Sequence, residues 1–235
     1  MIVFTSCDPV YLQDHGAAFA ASAALSDNNA HIHVVEPNDA TVHRLDRISD
    51  QYKKLNSSST FTYSYGECIA KYFNDDHRRT IYACDRFVTV SDLIYSTNEE
   101  YLVVDVDCLI MKHIDPIDCD VCLFKRESLP GTEGWEKFGT QVAAGAVYYK
   151  PSAMDFIDYV STEIQKGPFN WFLDQVCIAK AHEKFRDTYK FKYFDTTFLD
   201  WEFLPETTIW TGKGDRKHFN KTYVSKKEYF KSRMI

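Results

Sequence analysis

The chain has 235 residues, 45% hydrophobic and 26% charged, which suits one large globular domain or two tightly merged ones. No apolar run approaches the ~20 residues of a membrane-spanning helix, and the opening MIVFTSCDPV lacks the basic and long apolar stretches of a signal peptide, so neither is expected. The net charge of −7 is uneven: residues 213–235 carry eight Lys/Arg against two Asp/Glu, while the other 212 residues carry 19 basic and 32 acidic side chains, so a basic segment on an acidic body can attract an anion, and no nucleic-acid partner is expected.

Along the chain, IVFTS (2–6) is a β-branched run and reads as a strand. The Ala-rich segment 9–27, with Pro9 near its start, predicts one helix. HIHVVEP (31–37) predicts a second strand, and Asn38 or Asp39 can cap a helix over about 40–55. FTYSY (61–65) reads as a third strand, and 78–96 is roughly helical in its apolar spacing. The run YLVV then ends in Asp105 as strand four. Alternating strands and helices imply a mostly parallel sheet covered on both faces.

The second half is less regular. Strands are expected at 120–126 and 143–151, helices after Pro151 and over 171–185, and further strands around 190–194 and 207–211. Gly167-Pro168 is a helix stop. This describes one α/β domain with a mixed C-terminal half. Seven cysteines, an odd and scattered number, argue for thiols in a cytosol-like compartment. CDVC (119–122) is a lone CxxC and reads as two small residues beside a strand.

The chemistry concentrates at VVDVDCLI. In open α/β sheets, ligands bind at the carboxyl ends of the strands. Asp105 and Asp107 stand there, and on an extended chain residues two apart point the same way. Two converging carboxylates repel unless a cation lies between them, and oxygen ligands suit Mg²⁺ or Mn²⁺. The bland alternative is a solvated loop. Two enzyme classes place D-x-D after an apolar strand. Haloacid-dehalogenase-type phosphatases use the first Asp as nucleophile, near the N-terminus, with Thr or Val two residues past the second. Here Leu109 stands there and a full βαβ unit comes first. Sugar-nucleotide glycosyltransferases build a nucleoside pocket before the motif, and this arrangement fits them.

Six segments in order carry a resemblance: VFTSCDPVY, DRF (85–87), VVDVDCLI, VAAGAVYYKPSA, FLDQVCIA and IWTGKGDRKHF. Together they resemble the GT-A fold glycosyltransferases, in particular the retaining family that includes glycogenin and bacterial lipopolysaccharide galactosyltransferases. The resemblance implies a Rossmann-like α/β fold with a mixed, mostly parallel central sheet flanked by helices. It implies a single domain over 1–235, with a nucleotide-binding half (1–118) and a sugar and acceptor half (119–235) that ends in the basic segment. The implied activity is metal-dependent transfer of a hexose from a nucleotide sugar, a UDP-sugar by analogy, to a carbohydrate or protein- or lipid-linked acceptor, with retention at the anomeric carbon.

By the same resemblance, Asp105, Asp107 and Thr211 would hold Mn²⁺ or Mg²⁺. Thr5, Asp8, Tyr11, Arg86, Val106, Gly145, Lys213, Gly214 and Lys217 would contact the donor, and Asp174 and Gln175 would be catalytic. Glycine lets a backbone come close to a diphosphate and lysine supplies a point charge. Asp174 can equally be a first-turn anion of its helix, and Arg86 an ordinary salt-bridge partner. Trp171 and Trp135 could flank a sugar face or sit in the core. The chain departs from the family pattern at Ala143 (family Asn), Val176 (family Asp), Thr211 (family His) and His218-Phe219 (family Pro-Trp). These departures leave open a catalytically silent sugar-nucleotide-binding protein, and a phosphohydrolase with Asp105 as nucleophile is the remaining alternative.

Overall fold

The computed structural model describes residues 1–125 and 142–234, so Trp135 lies outside the described residues. By contacts the chain groups into two compact units. Unit one is Met1–Glu67, Val104–Pro116 and Thr196–Ile235, and unit two is Cys68–Val103 and Ile117–Asp195. Among the described residues, seven strands belong to a mixed, mostly parallel α/β sheet flanked by helices, as the alternation of elements predicts.

In unit one, β1 (Ile2–Cys7), β2 (Asn29–Val35) and β3 (Phe61–Gly66) lie in the order β3-β2-β1, all parallel, with Thr5 opposite Ile32 and Ile32 opposite Tyr63. Successive residues Val3, Phe4 and Thr5 are all buried, so both faces of β1 are covered, as in parallel sheets generally. Burying an apolar side chain such as Val3 or Phe4 stabilises the fold by about 1.5–3 kcal/mol. The helix Asp39–Leu55 begins at Asn38, whose side chain accepts from Thr41 N at 2.9 Å while the Thr41 hydroxyl accepts from Asn38 N at 3.3 Å. It buries Leu45, Ile48 and Tyr52 at helical spacing.

The helix expected over 9–27 is broken. A short turn Pro9–Tyr11 runs into a wider π-type segment, Leu12–Gly16, before the helix Ala17–Leu25. Five of the nine residues of the helix Ala17–Leu25 are buried alanines, which let its neighbours approach closely. One neighbour is the helix Lys221–Ser232, which buries Tyr223 and Phe230 and is capped by the Asn220 side chain. The basic segment is therefore a packed element.

A second, three-stranded sheet in unit one joins distant parts of the chain. The order is β5-β10-β9, where β5 is Cys108–Ile110, β9 is Leu199–Asp200 and β10 is Ile209–Thr211. β5 and β10 are antiparallel with Thr211 opposite Cys108, and β10 and β9 are parallel.

In unit two the strand order is β4-β7-β6-β8, from β4 (Tyr101–Val104), β6 (Val121–Lys125), β7 (Val142–Tyr149) and β8 (Phe191–Phe194). The unit boundary falls inside β4, between Val103 and Val104. β6 runs parallel to β8 and antiparallel to β7. The helix Asp75–Thr97 starts at the Asn74 cap and ends at Asn98, whose left-handed backbone (φ 55°) closes the last turn. The helix Met154–Lys166 stops at Gly167, also at positive φ (63°). The helix Leu173–Phe185 follows. No helix among the described residues is long and apolar enough to cross a membrane.

Candidate functional site

The expected residues fall into two groups, one in each unit. In unit one, β4 ends and the chain turns at once. Cys108 N donates to the Asp105 carbonyl at 3.0 Å, so Asp105 to Cys108 form a tight turn rather than an extended run. The two carboxylates therefore do not share a direction by strand alternation. Val106 is buried and anchors the turn. The Asp107 backbone carbonyl accepts twice, from the Tyr223 hydroxyl at 2.6 Å and from Gly212 N at 3.1 Å. With its backbone pinned, the nearly buried Asp107 side chain has one settled direction.

The partner it meets is Lys217. The Lys217 ammonium lies 3.0 Å from Asp107 Oδ2 and 3.0 Å from the Tyr11 hydroxyl, and 4.7 Å from the centre of the Tyr11 ring. Burial works against the charge on Lys217, but the Asp107 carboxylate and the hydrogen bonds to Tyr11 and Asp107 outweigh it, so its pKa is raised. Tyr11 is itself set by Asp8, whose carboxylate caps the short turn by accepting from Tyr11 N at 2.8 Å. Tyr11 also lies against His15, ring centres 5.7 Å apart. His15 is buried, and its pKa is lowered to about 3, by burial first and then by the positive charges of Lys227 and Lys217.

Gly212 makes this packing possible. A Cβ there would stand 2.8 Å from Lys217 Cβ and 2.9 Å from the Tyr223 hydroxyl. The close-approach glycine is thus Gly212, whereas Gly214 sits at φ +64° with open space around it, a turn position. Lys213 places its ammonium 4.9 Å from the Trp201 ring centre. Thr5 is fully buried in β1 and its hydroxyl has no hydrogen-bond partner among the described residues. Gly212 stood inside a quoted segment without being singled out. Tyr223 carried no local signal, because nothing in the basic tail marks one tyrosine as the residue that reaches Asp107.

In unit two, Arg86 lies on the helix Asp75–Thr97 and is buried. It donates to Asp174 Oδ2 at 3.0 Å and to the Ala144 carbonyl at 3.1 Å. That carbonyl is available because β7 bulges. Register with β6 jumps from Leu123↔Val147 to Phe124↔Ala143, leaving Ala144, Gly145 and Ala146 out of step. Asp174 is the second residue of its helix, and its other oxygen accepts from Gln175 N at 2.8 Å. It is therefore a first-turn anion and an ion-pair partner at once. Gln175 is buried, and its amide oxygen has no hydrogen-bond partner among the described residues. Trp171 is 54% exposed and, with His77, Arg79, Thr80, Phe169 and Asn170, lines an open groove of about 390 Å³.

The three expected metal ligands do not form a centre as placed. Asp107 is paired with Lys217, and Thr211 is buried in β10 opposite the buried Cys108. Among the described residues, no three His, Cys, Asp or Glu side chains are grouped so that they could hold a metal ion.

No protein-family model matches the chain, and no curated protein matches it by sequence. Solved structures do match by shape. The galactosyltransferase LgtC, solved with donor and acceptor sugar analogues, superposes with a TM-score of 0.63 at 12% identity, over 100% of this chain and 95% of that one. The fold is that of the GT-A glycosyltransferases. The bifunctional glycosyltransferase WbbM matches with a TM-score of 0.63 at 11% identity over 99% of this chain. The glycosyltransferase GlyE of Streptococcus pneumoniae matches with a TM-score of 0.57 at 13% identity over 100% of this chain. This chain spans 51% of the WbbM chain and 60% of the GlyE chain. At these identities the GT-A likeness speaks for the fold, and the residues must speak for the chemistry.

Proposed function

We propose that the chain is a hexosyltransferase that takes a sugar from a nucleoside diphosphate donor, a UDP-sugar, and delivers it to a carbohydrate or a protein- or lipid-linked acceptor with retention at the anomeric carbon. The observation that carries the reading is the Tyr11–Lys217–Asp107 cluster after β1 and β4. It sets a fixed cation and a half-exposed aromatic ring beside a turn at a strand's carboxyl end. Such a group suits a nucleoside diphosphate, with the ring for the base or ribose and the ammonium for a phosphate oxygen. Lys213 and Gly214 add a second cation and an unobstructed backbone on the same loop. A cytosol-like compartment is part of the proposal and rests on the seven buried thiols.

In this reading the leaving diphosphate is neutralised by charges the chain itself supplies, and no step is routed through a divalent ion, because the donor set described above does not fit one. Asp174 and Gln175 act on the transferred sugar. Asp174 is held by Arg86 and in turn fixes the Gln175 backbone, so Asp174 serves as a positioning residue. The unsatisfied Gln175 amide oxygen is the group suited to an oxocarbenium-like transition state. One solved neighbour is described as an active-site glutamine-to-glutamate mutant of LgtC, which agrees with a glutamine in that role.

The test is product analysis with a panel of nucleotide sugars. Release of nucleoside diphosphate and the anomeric configuration of the product, read by proton NMR, should show transfer or hydrolysis with retention. Gln175→Ala should lower kcat by about 100-fold while changing nucleotide affinity little. Wild-type turnover in that variant would remove Gln175 from the chemistry. Nucleotide binding without turnover under every acceptor condition would favour the silent binding protein, for which the departures at Ala143, Val176 and Thr211 already argue.

A further inference from the structure

We infer that the Lys217 ammonium stands where a divalent cation would otherwise sit at the Asp105–Asp107 turn, so that this chain binds a nucleoside diphosphate without a metal ion. The inference rests on the nucleotide reading above. The nearly buried Asp107 carboxylate and an incoming diphosphate are both negative, so a site that brings them together needs positive charge between them. Lys217 supplies that charge from 110 residues away, with its ammonium 3.0 Å from Asp107 Oδ2. This is not a mobile surface lysine: the two side chains are 13% and 9% exposed.

The position is built. The Tyr11 hydroxyl accepts a second N–H at 3.0 Å, and the Tyr11 ring faces the ammonium at 4.7 Å. Gly212 has no side chain where Lys217 Cβ and the Tyr223 hydroxyl come close, and Tyr223 fixes the Asp107 backbone. An ammonium has three N–H donors. Asp107 and Tyr11 take two, and the third remains for a phosphate oxygen.

The residue that would tip the balance toward a metal is absent. Thr211 offers a hydroxyl, a poorer ligand for Mn²⁺ than an imidazole, and it is buried in β10 opposite Cys108. A metal on Asp107 would have to displace Lys217 and leave a nearly buried ammonium without its carboxylate. Before a diphosphate arrives, the Tyr11 hydroxyl would then be the neighbour left to a nearly buried ammonium, which makes that displacement costly.

The experiment is calorimetric titration of UDP, GDP, ADP and CDP into the full chain, in EDTA and again in Mn²⁺ or Mg²⁺. At least one diphosphate should bind in EDTA, and metal should change its affinity by less than about threefold. Lys217→Met should weaken binding in EDTA by more than about tenfold. That variant leaves Asp107 unpaired and can fail to fold. The double variant Asp107→Asn/Lys217→Met removes both charges together, is measured alongside, and should show the same loss. Unchanged affinity in the folded variants overturns the role of Lys217. Wild-type binding in Mn²⁺ but not in EDTA overturns it too, while leaving the nucleotide reading standing. No binding of any diphosphate in either buffer overturns both.

Discussion

Two acid–base pairs, one in each unit, have the same 3.0 Å separation and nearly the same burial, yet they are built for different ends. Arg86 sets one terminal nitrogen, Nη2, between two protein acceptors, the Asp174 carboxylate and the Ala144 carbonyl that the β7 bulge presents. Lys217 gives two of its three donors to protein oxygens and lies in the short helix Arg216–Phe219, just after the glycines at 212 and 214. Arginine matches two acceptors in fixed geometry, whereas lysine is a point charge that can be shared with an incoming anion. A buried ion pair is thus no single signal. The Arg86 pair ties a helix to the bulged strand β7, whereas the Lys217 pair keeps its ammonium beside the half-exposed Tyr11 ring.

The largest expected effect breaks the scaffold pair. Arg86→Met leaves Asp174 as a buried carboxylate without its cation and should destabilise the protein by about 3–5 kcal/mol in urea denaturation. Arg86→Lys should recover only part of that loss, because a compact ammonium does not fill the buried place of the planar guanidinium. A loss below about 1 kcal/mol for Arg86→Met would make this pair no more structural than a surface one.

Acid sharpens the comparison next. His15 has its folded pKa lowered to about 3, so the unfolded chain binds a proton at this residue near the usual 6.5 while the folded chain does not. The stabilisation is therefore present above about pH 6.5 and is lost as pH falls toward 3. At pH 5 this one residue should already have removed about 2 kcal/mol. Denaturation of the wild type and His15→Gln at pH 7.5 and pH 5 checks it, and the variant should lose less on acidification. Equal losses in the two proteins would mean that neither burial nor the charges of Lys227 and Lys217 hold the His15 pKa down.

Smaller effects separate the glycines of the Lys217 loop. Gly212→Ala should cost about 1–3 kcal/mol, since its methyl meets Lys217 Cβ and the Tyr223 hydroxyl. Gly214→Ala should cost about 1 kcal/mol, for the left-handed backbone alone, because no atom lies within 4 Å of the new methyl. Tyr223→Phe removes one hydrogen bond to the Asp107 carbonyl and should cost about 1 kcal/mol. Thermal denaturation of the three variants ranks them, and a Gly214→Ala loss exceeding that of Gly212→Ala would reverse the assignment of which glycine permits close approach.

Much of the fold is legible in the chain, because its local signals agree with the elements that form. Asn38 announces the helix Asp39–Leu55 by its capping chemistry, and Gly167 stops the helix Met154–Lys166. The β-branched and aromatic runs at 2–7, 29–35 and 61–66 form strands, the first two buried almost throughout and the third largely open beyond Phe61. The misreadings are local as well. The 9–27 helix carries a π segment at Leu12–Gly16 that Ala-rich composition does not reveal, and strand-like alternation at Asp105–Asp107 gives way to a turn.

The sequence by itself determined the alternation of elements, the caps and stops, and the presence of acidic, basic and aromatic residues in motif-like segments. Only the tertiary structure decided their partners. Tyr11 meets Lys217 across 206 residues, Lys217 meets Asp107 across 110, and Arg86 meets Asp174 across 88. The reason is that periodicity and propensity record how a residue stands to its neighbours within a turn or a strand. Whether a carboxylate faces a lysine, a metal or water depends on which distant elements packing brings together, and in that choice Gly212, with no side chain at all, counts for as much as Lys217.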